Sequence, residues 1–365
     1  MPMYEAQLAS DWSYILNDSG CSVVFCATED IFERVQKEVF PQTPNLHASI
    51  CLDANRDEPY SFTGRMEAFF APDTDGLHIQ TPTGEDLANL IYTSGTTGRP
   101  KGVELTHHNF TSNIKAASHS MMGQMFETDR SLAFLPWAHS YGQTCELWMS
   151  MSIGSSIGIC RGVPLILEDI QMVRPSVLFA VPTLYKKVFD GVNNVIETSS
   201  PLRKGLMTKA LALGHENASY KSGERGPLST MESLQFRILD AMILSKIRDR
   251  FGGNLRFSTV AAAACPVDVL KFMDSLGIPV CEGYGLSETS PIITLNTPWN
   301  RKIGSVGRPL DGVTVYVVDK NGNPVPDGQE GEICCVGPNV MKGYYNNQKA
   351  TDEVISVAPD GKSRM

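Results

Sequence analysis

The sequence has no dense run of Lys and Arg, and a protein that reads a nucleic-acid backbone needs such a basic footprint. It carries 31 Lys plus Arg against 40 Asp plus Glu, a net charge of −9, so nucleic acid is not an expected partner. It also has no CxxC pair and no zinc-like His/Cys spacing among its nine cysteines and seven histidines, which include the adjacent His107 and His108. An odd number of cysteines, most of them in apolar contexts, reads as free buried thiols. The expected location is therefore a reducing, intracellular one, either the cytoplasm or the cytoplasmic face of a membrane. The opening MPMYEAQLASDW lacks the basic-then-apolar order of a secretory signal. No stretch offers the roughly 18 uninterrupted apolar residues of a membrane span. The nearest, residues 153–167, is broken by serines, glycines, Arg161 and Pro164. Internal repeats and low-complexity tracts are absent too.

What is present is the composition of a folded chain, 42% hydrophobic and 19% charged over 365 residues, long enough for two or three packed subdomains. Short apolar runs at 22–26, 48–52, 86–92, 132–135, 156–160, 177–180, 255–260 and 278–281 read as strands. Helical patterns lie between them. One covers 30–39, and another runs from the cap candidate Thr106 to about Ser120. A long one spans 231–251, with Leu234, Ile238, Leu239, Met242, Ile243 and Ile247 at helical spacing. Residues 53–85 are polar and turn-rich and read as a loop-dominated connection. The alternation predicts an α/β fold of layered, largely parallel sheets with flanking helices over 1–300. Strands at 313–319 and 330–336, joined by a turn at 321–324, predict a small β-rich unit over 301–357.

Two segments carry the densest chemistry. Residues 91–102, IYTSGTTGRPKG, deliver hydroxyls, glycines and a lysine from a strand into a turn. Glycines let backbone N–H groups approach a polyphosphate, hydroxyls donate to its oxygens, and Lys101 adds a charge that can follow a departing pyrophosphate. The spacing is not that of a Walker loop, because after Gly95 come Thr96, Thr97, Gly98, Arg99 and then Pro100, where Gly-Lys-Ser/Thr would have to begin. Residues 282–291, EGYGLSETSP, place Tyr284 between Gly283 and Gly285, a ring able to stack on a purine, ahead of Ser287, Glu288 and Thr289. Glu288 is a hard oxygen ligand suited to Mg²⁺ on phosphates, and it stands where a dinucleotide fingerprint would need a third glycine.

These segments resemble the signature motifs of the AMP-forming adenylate-forming superfamily, which includes acyl-CoA synthetases, luciferases and peptide-synthetase adenylation domains. The likeness continues, in the same order, through LPWAHSY at 135–141, GSVGRP at 304–309 and GPNVMKGYY at 337–345. Residues 2–5, 18–20 and 188–253 look most like long-chain fatty acyl-CoA synthetases. The resemblance implies that a fatty carboxylate attacks the ATP α-phosphate to give an acyl-adenylate and pyrophosphate, and that coenzyme A then displaces AMP. Such transfers depend on positioning and charge neutralisation. It further implies that Thr93, Ser94, Gly95, Thr96, Thr97, Gly98 and Lys101 hold the β- and γ-phosphates. Ala262 and Ala263 would lie beside the adenine, with Gly283 and Gly285 flanking Tyr284 as it stacks. Ser287 and Thr289 would sit near the α-phosphate, Glu288 and Thr93 would hold Mg²⁺, and His139 would border the acyl carboxylate. Of these, Lys101, His139 and Glu288 are the expected catalytic residues. A fatty substrate is compatible with peripheral membrane contact, although no stretch of residues marks it.

The sequence departs from the family pattern in three ways. Where relatives carry a Gly-Gly pair beside the adenine, this chain reads VAAAAC over 260–265, and the extra methyl groups of Ala261 and Ala262 predict weaker nucleotide binding. The Thr-Gly-Asp segment that binds ribose, the hinge and the small lysine-bearing C-terminal domain are not in the sequence, and the start falls inside the family's first subdomain. The expectation is an AMP-binding domain over 1–365 that is incomplete at both ends, as a partial gene model would give. Two alternatives stand beside the ligase reading: a non-catalytic nucleotide- or acyl-binding remnant, and an enzyme for another carboxylate such as an aryl acid. A hydrolase is disfavoured, because GSSIG at 154–158 has a helical pattern before Ser156 and a strand after it, the reverse of a nucleophile elbow.

Overall fold

The computed structural model describes residues 1–52, 63–65, 81–93, 98–121, 123–357 and 363–365. Most of the connection expected at 53–85 lies outside the described residues, as do Ser94, Gly95, Thr96 and Thr97. The chain divides into two compact units, Met1–His107 with Met341–Ser356, and His108–Val340 with Val357–Met365.

In the first unit, α1 (Ala9–Ser19) ends at Gly20, whose φ of 66° is left-handed, the conformation that favours glycine at a helix C-terminus. Helix α2 (Glu29–Arg34) starts from Thr28, whose hydroxyl accepts the Ile31 N–H, and runs on into a π-helical turn, Val35–Val39. Their apolar faces meet parallel strands β1 (Val23–Cys26) and β2 (Ala48–Cys51), burying Trp12, Leu16, Val24, Phe32 and Val39 together. Strand β3 (Thr63–Arg65) extends that sheet, again in parallel. A separate hairpin pairs β4 (Leu87–Thr93) antiparallel with β5 (Lys101–Thr106). Strand β5 was not expected from the sequence, which reads there as a turn leading directly to a helix. Its length is set by pairing with β4 on one side and with the short strand Gly343–Tyr344 on the other.

The second unit opens with α3 (His107–Ser120) and a parallel pair, β6 (Arg130–Ala133) and β7 (Ser156–Ile159). Helix α4 (Met149–Ile153) precedes β7, so the GSSIG segment does have helix before strand. The main sheet has β8 (Val177–Ala180), β9 (Phe257–Val260) and β10 (Val280–Gly285) in parallel. Strands β11 (Ile292–Leu295) and β12 (Arg308–Pro309) continue it antiparallel. Every residue of β8 and β9 is buried, as a parallel sheet covered on both faces requires. Helices α5 (Ile166–Val173), α6 (Pro182–Thr198) and α7 (Pro201–Lys221) and the later α10 (Val267–Ser275) surround it. With β8 and β10 they share one core containing Leu178, Tyr185, Leu213, Leu270 and Val280. A β13 (Thr314–Val318) and β14 (Glu332–Val336) antiparallel ladder forms the small β-rich element near the C-terminus. The Asp319 carboxylate accepts the N–H groups of Asn321 and Asn323 in the expected turn.

The long helix expected over 231–251 forms, and of the six residues at helical spacing Leu239, Ile243 and Ile247 pack on the core while the other three do not. It is built from α8 (Thr230–Leu239), a π-helical turn Asp240–Leu244, α9 (Ser245–Arg248) and a 3₁₀ turn Asp249–Phe251. Leu239, Leu244, Ile247 and Phe251 are buried, whereas Leu234, Ile238 and Met242 are 54%, 51% and 58% exposed. Periodicity shows that a helix is amphipathic but cannot choose between two adjacent apolar stripes, and the π turn rotates the register between them. All nine cysteines are free thiols, six of them buried, as the sequence implied. Among the described residues no helix is long and apolar enough to cross a membrane.

Candidate active site

In the first unit, Thr93 is the last residue of β4 and Lys101 the first of β5, and the two are register partners across the ladder. A hydroxyl and an ammonium therefore stand side by side at the paired ends of β4 and β5. Gly98 has φ 119°, which favours glycine at that position. The Lys101 ammonium lies 5.0 Å from the centroid of the Tyr344 ring, a cation–π contact that orders the side chain without neutralising it. Tyr92 packs under Gly102, where a Cβ would come within 2.9 Å of the ring, and the Tyr92 hydroxyl donates to Asp18 at 2.6 Å.

In the second unit the candidate residues gather at the carboxyl ends of β8, β9 and β10, where open parallel sheets place their ligands. Chain exits from β9 through Ala261 to Ala262 and Ala263, both of which are exposed. Ala262 has φ 70°, the left-handed region that a Cβ disfavours. The position where the family pattern has glycine thus keeps a backbone made for glycine. We expect Ala262→Gly to raise stability by about 0.5–1 kcal/mol, the relief of the left-handed alanine outweighing the entropy gained by the unfolded chain. The Ala261→Gly, Ala262→Gly double variant should also bind ATP more tightly. Urea unfolding and calorimetric ATP titration check the two expectations separately, and unchanged affinity would show that the methyl groups do not crowd the nucleotide.

Strand β10 ends in Gly283, Tyr284 and Gly285, all half-buried, and leads into a 3₁₀ turn, Ser287–Thr289. Glu288 is half-buried in this turn. Thr289 is fully buried, and its hydroxyl accepts the Leu286 N–H at 3.0 Å and donates to the Pro291 carbonyl at 2.6 Å. Thr289 therefore shapes the turn, with its hydroxyl taken up by main chain. Three residues not singled out from the sequence hold the same turn. Asn339 donates to the Thr289 carbonyl, Thr144 to the Ser290 carbonyl at 3.1 Å and Asn113 to the Ile292 carbonyl at 2.7 Å. Such roles leave little sequence signal, because the residues come from three distant segments.

The 135–141 segment crosses the same strand ends. Ser140 is fully buried, with its hydroxyl 3.1 Å from that of Ser287, so two motifs far apart in sequence meet directly. The Tyr141 hydroxyl lies 3.3 Å from the Ala180 carbonyl and 3.2 Å from that of Thr259, pinning the segment to β8 and β9. His139 reaches the surface between them, and its Nδ1 accepts the Tyr141 N–H at 3.2 Å. That bond places the proton of the neutral imidazole on Nε2, and partial burial holds the pKa below the usual imidazole value. A neutral Nε2–H donor is what a bound carboxylate needs.

Behind the loop sits Glu146, fully buried in the π-helical turn Gly142–Trp148. It accepts the N–H groups of Phe134 and Leu135 at 3.2 Å and of the Trp137 indole at 3.3 Å. Burial outweighs these donors and pushes its pKa up to about 8.

The AMP-binding enzyme family profile matches residues 1–345. The chain belongs to the AMP-binding enzyme family. It is 29% identical to the peroxisomal long chain acyl-CoA synthetase 6 of Arabidopsis thaliana, over 97% of this chain and 50% of the relative. It is 31% identical to long-chain-fatty-acid–CoA ligase 5 of Rattus norvegicus, over 97% of this chain and 52% of the relative. The chain thus spans about half the length of these relatives. Its fold is that of the anthranilate CoA ligase AuaEII solved with anthranoyl-AMP, at TM-score 0.72 and 19% identity, over 99% of this chain and 61% of that one. Among the described residues no group of three or more His, Cys, Asp or Glu could cage a metal. Mg²⁺ commonly takes one or two carboxylates and completes its shell with phosphates and water, so Glu288 fits an ion that arrives with the nucleotide.

Proposed function

We propose that this chain is the nucleotide- and acyl-binding part of an AMP-forming acid–CoA ligase whose acid is a long-chain fatty acid. The contact between Ser140 and Ser287 carries the reading, because it joins the segment bearing His139 to the turn bearing Tyr284 and Glu288 at the sheet's carboxyl end. Thr93, Gly98 and Lys101 would hold a polyphosphate, with Lys101 neutralising charge as pyrophosphate departs. The Tyr284 ring would stack on adenine, and Gly283 and Gly285 would let the backbone approach it. His139 donates its Nε2–H to the acyl carboxylate and orients it toward the α-phosphate. Glu288 would hold Mg²⁺, which when bound neutralises phosphate charge and orients the leaving group. Coenzyme A is the thiol acceptor of the acyl group. Support for the fatty chain comes from the relatives named above, and support for adenylation from the two motif clusters.

Carboxylate-dependent ATP–pyrophosphate exchange tests this function. Palmitate should support exchange well above octanoate, acetate, benzoate and amino acids. Exchange led by benzoate would replace the fatty acid with an aryl acid. Saturable ATP binding by folded protein with no exchange for any acid would favour a non-catalytic binder, a reading to which the exposed, left-handed Ala262 lends weight.

A further inference from the structure

Strand β10 carries a buried carboxylate that the chemistry above does not use. Glu282 is 9% exposed and stands two residues before Tyr284, so the two share one face of the strand. A buried charge is costly unless it is paired or hydrogen-bonded. Here the donors are main-chain groups of two segments that lie far apart in sequence. Glu282 Oε2 accepts the Gly304 N–H at 3.2 Å, and the same carboxylate accepts the Cys265 N–H. Burial raises the pKa of Glu282, while these two donors and the nearby Arg301 oppose the rise.

This one residue holds both ends of the segment 261–264. The segment leaves β9 at Val260, the register partner of Glu282 in the parallel ladder. It ends at Cys265, on the Glu282 carboxylate. Between those points Ala262 is strained at φ 70°, and such a conformation persists only where its surroundings over-determine it. Ala262, Ala263 and Ala264 are exposed, so packing contributes little and the fixed ends do the work. The Gly304 side is anchored as well. Arg301 pairs with the buried Asp274 and donates to the Val280 carbonyl at 3.4 Å, two residues before Glu282 on β10. Glu282 is therefore the point at which the strand bearing Tyr284, the segment 261–264 and the start of the 304–309 motif are tied together.

We infer that Glu282 is a positioning residue of the nucleotide site, setting the gap between the Tyr284 ring and the segment 261–264. The inference rests on the ligase reading, which puts adenine in that gap. Glu282 acts through the main chain of Cys265 and Gly304 and does not itself touch the nucleotide.

Calorimetric titration of the full chain with ATP and with inorganic tripolyphosphate tests it. Glu282→Ala should weaken ATP binding about tenfold, the size of one lost stacking contact. It should leave tripolyphosphate binding at the parental value, because that probe has no adenine. Glu282→Gln keeps the shape but offers one acceptor oxygen in place of two. It should lose part of the same ATP affinity, and it carries the test if the alanine variant does not fold. Asp129→Asn breaks the ion pair with Arg256 at the amino end of β9, so it is the comparator for lost stability alone. Its ATP binding should match the parent, with circular dichroism confirming that each titrated variant is folded. Parental ATP binding by a folded Glu282 variant, or equal losses for ATP and tripolyphosphate, would overturn the inference and leave the ligase reading standing. Parent protein that fails to bind either probe would overturn the ligase reading, and this inference with it.

Discussion

Gly285→Ala should destabilise the chain by about 3 kcal/mol or more and abolish nucleotide binding, because it inserts a methyl group where there is main chain. A Cβ at this position would overlap the Pro291 carbonyl oxygen and crowd the Cα of Ile292. Neither is the flexible end of a side chain, so relief requires the backbone to separate. The Leu286 N–H bonds to the same Pro291 carbonyl at 3.0 Å, and Thr289 donates to it at 2.6 Å. Opening this point therefore breaks the turn that presents Glu288 and the pairing of β10 with β11. Gly283→Ala is the control, since its Cβ would come no nearer than 3.3 Å to Leu295 Cδ1, a side-chain atom. We expect Gly283→Ala to stay within about 1 kcal/mol of the parent. Urea unfolding and ATP titration of both variants check the contrast. Equal stability of the two would mean that the turn is held elsewhere.

Glu146→Ala should cost about 3 kcal/mol, because it strands three N–H donors, one buried and two partly buried, around an empty space. The same variant should lose carboxylate-dependent exchange, since residues 134–137 lead directly to His139 and are held by this side chain. Glu146→Gln separates charge from shape. In the parent, burial raises the folded pKa to about 8, whereas the unfolded chain ionises near the ordinary carboxylate value. Between those values the folded state holds a proton that the unfolded state has released, so the contribution of Glu146 to stability falls as pH rises toward about 8. Glutamine cannot ionise and removes that slope. Unfolding of parent and Glu146→Gln at about pH 5 and about pH 8 should therefore show the variant gaining on the parent at the higher pH. A constant difference would show that Glu146 is already ionised at the lower pH. For His139 the sign is the reverse. Its depressed pKa stabilises the fold above the unfolded imidazole value, and that contribution is lost as pH falls below it.

Much of this protein was legible in its sequence. Strand–helix alternation comes from periodicity over a few residues, and it foretold β1, β8 and β9 and the helices around them. Hydroxyl- and glycine-rich turns carry their chemistry in composition, so the loop after β4 and the turn after β10 could be named before any coordinates. The same holds for the departure at Ala261 and Ala262, which is a local difference in residue type.

What tertiary structure alone decided concerns pairs distant along the chain or choices between equivalent faces. Thr93 faces Lys101 only because β5 pairs with β4 in one register. Ser140 meets Ser287 across 147 positions, and Glu146 becomes a buried anchor only because the π-helical turn aims it back at residues 134–137. Ala262 shows its strain only as a dihedral angle. The long helix buries Leu239 and Leu244 and exposes Leu234, Ile238 and Met242, a choice made by its packing against α7 and by one π turn. Local sequence sets which conformations are cheap and which side chains can do chemistry. Register, burial and the side of a helix that faces the core depend on the sum of contacts over the whole fold, and no short window contains that sum.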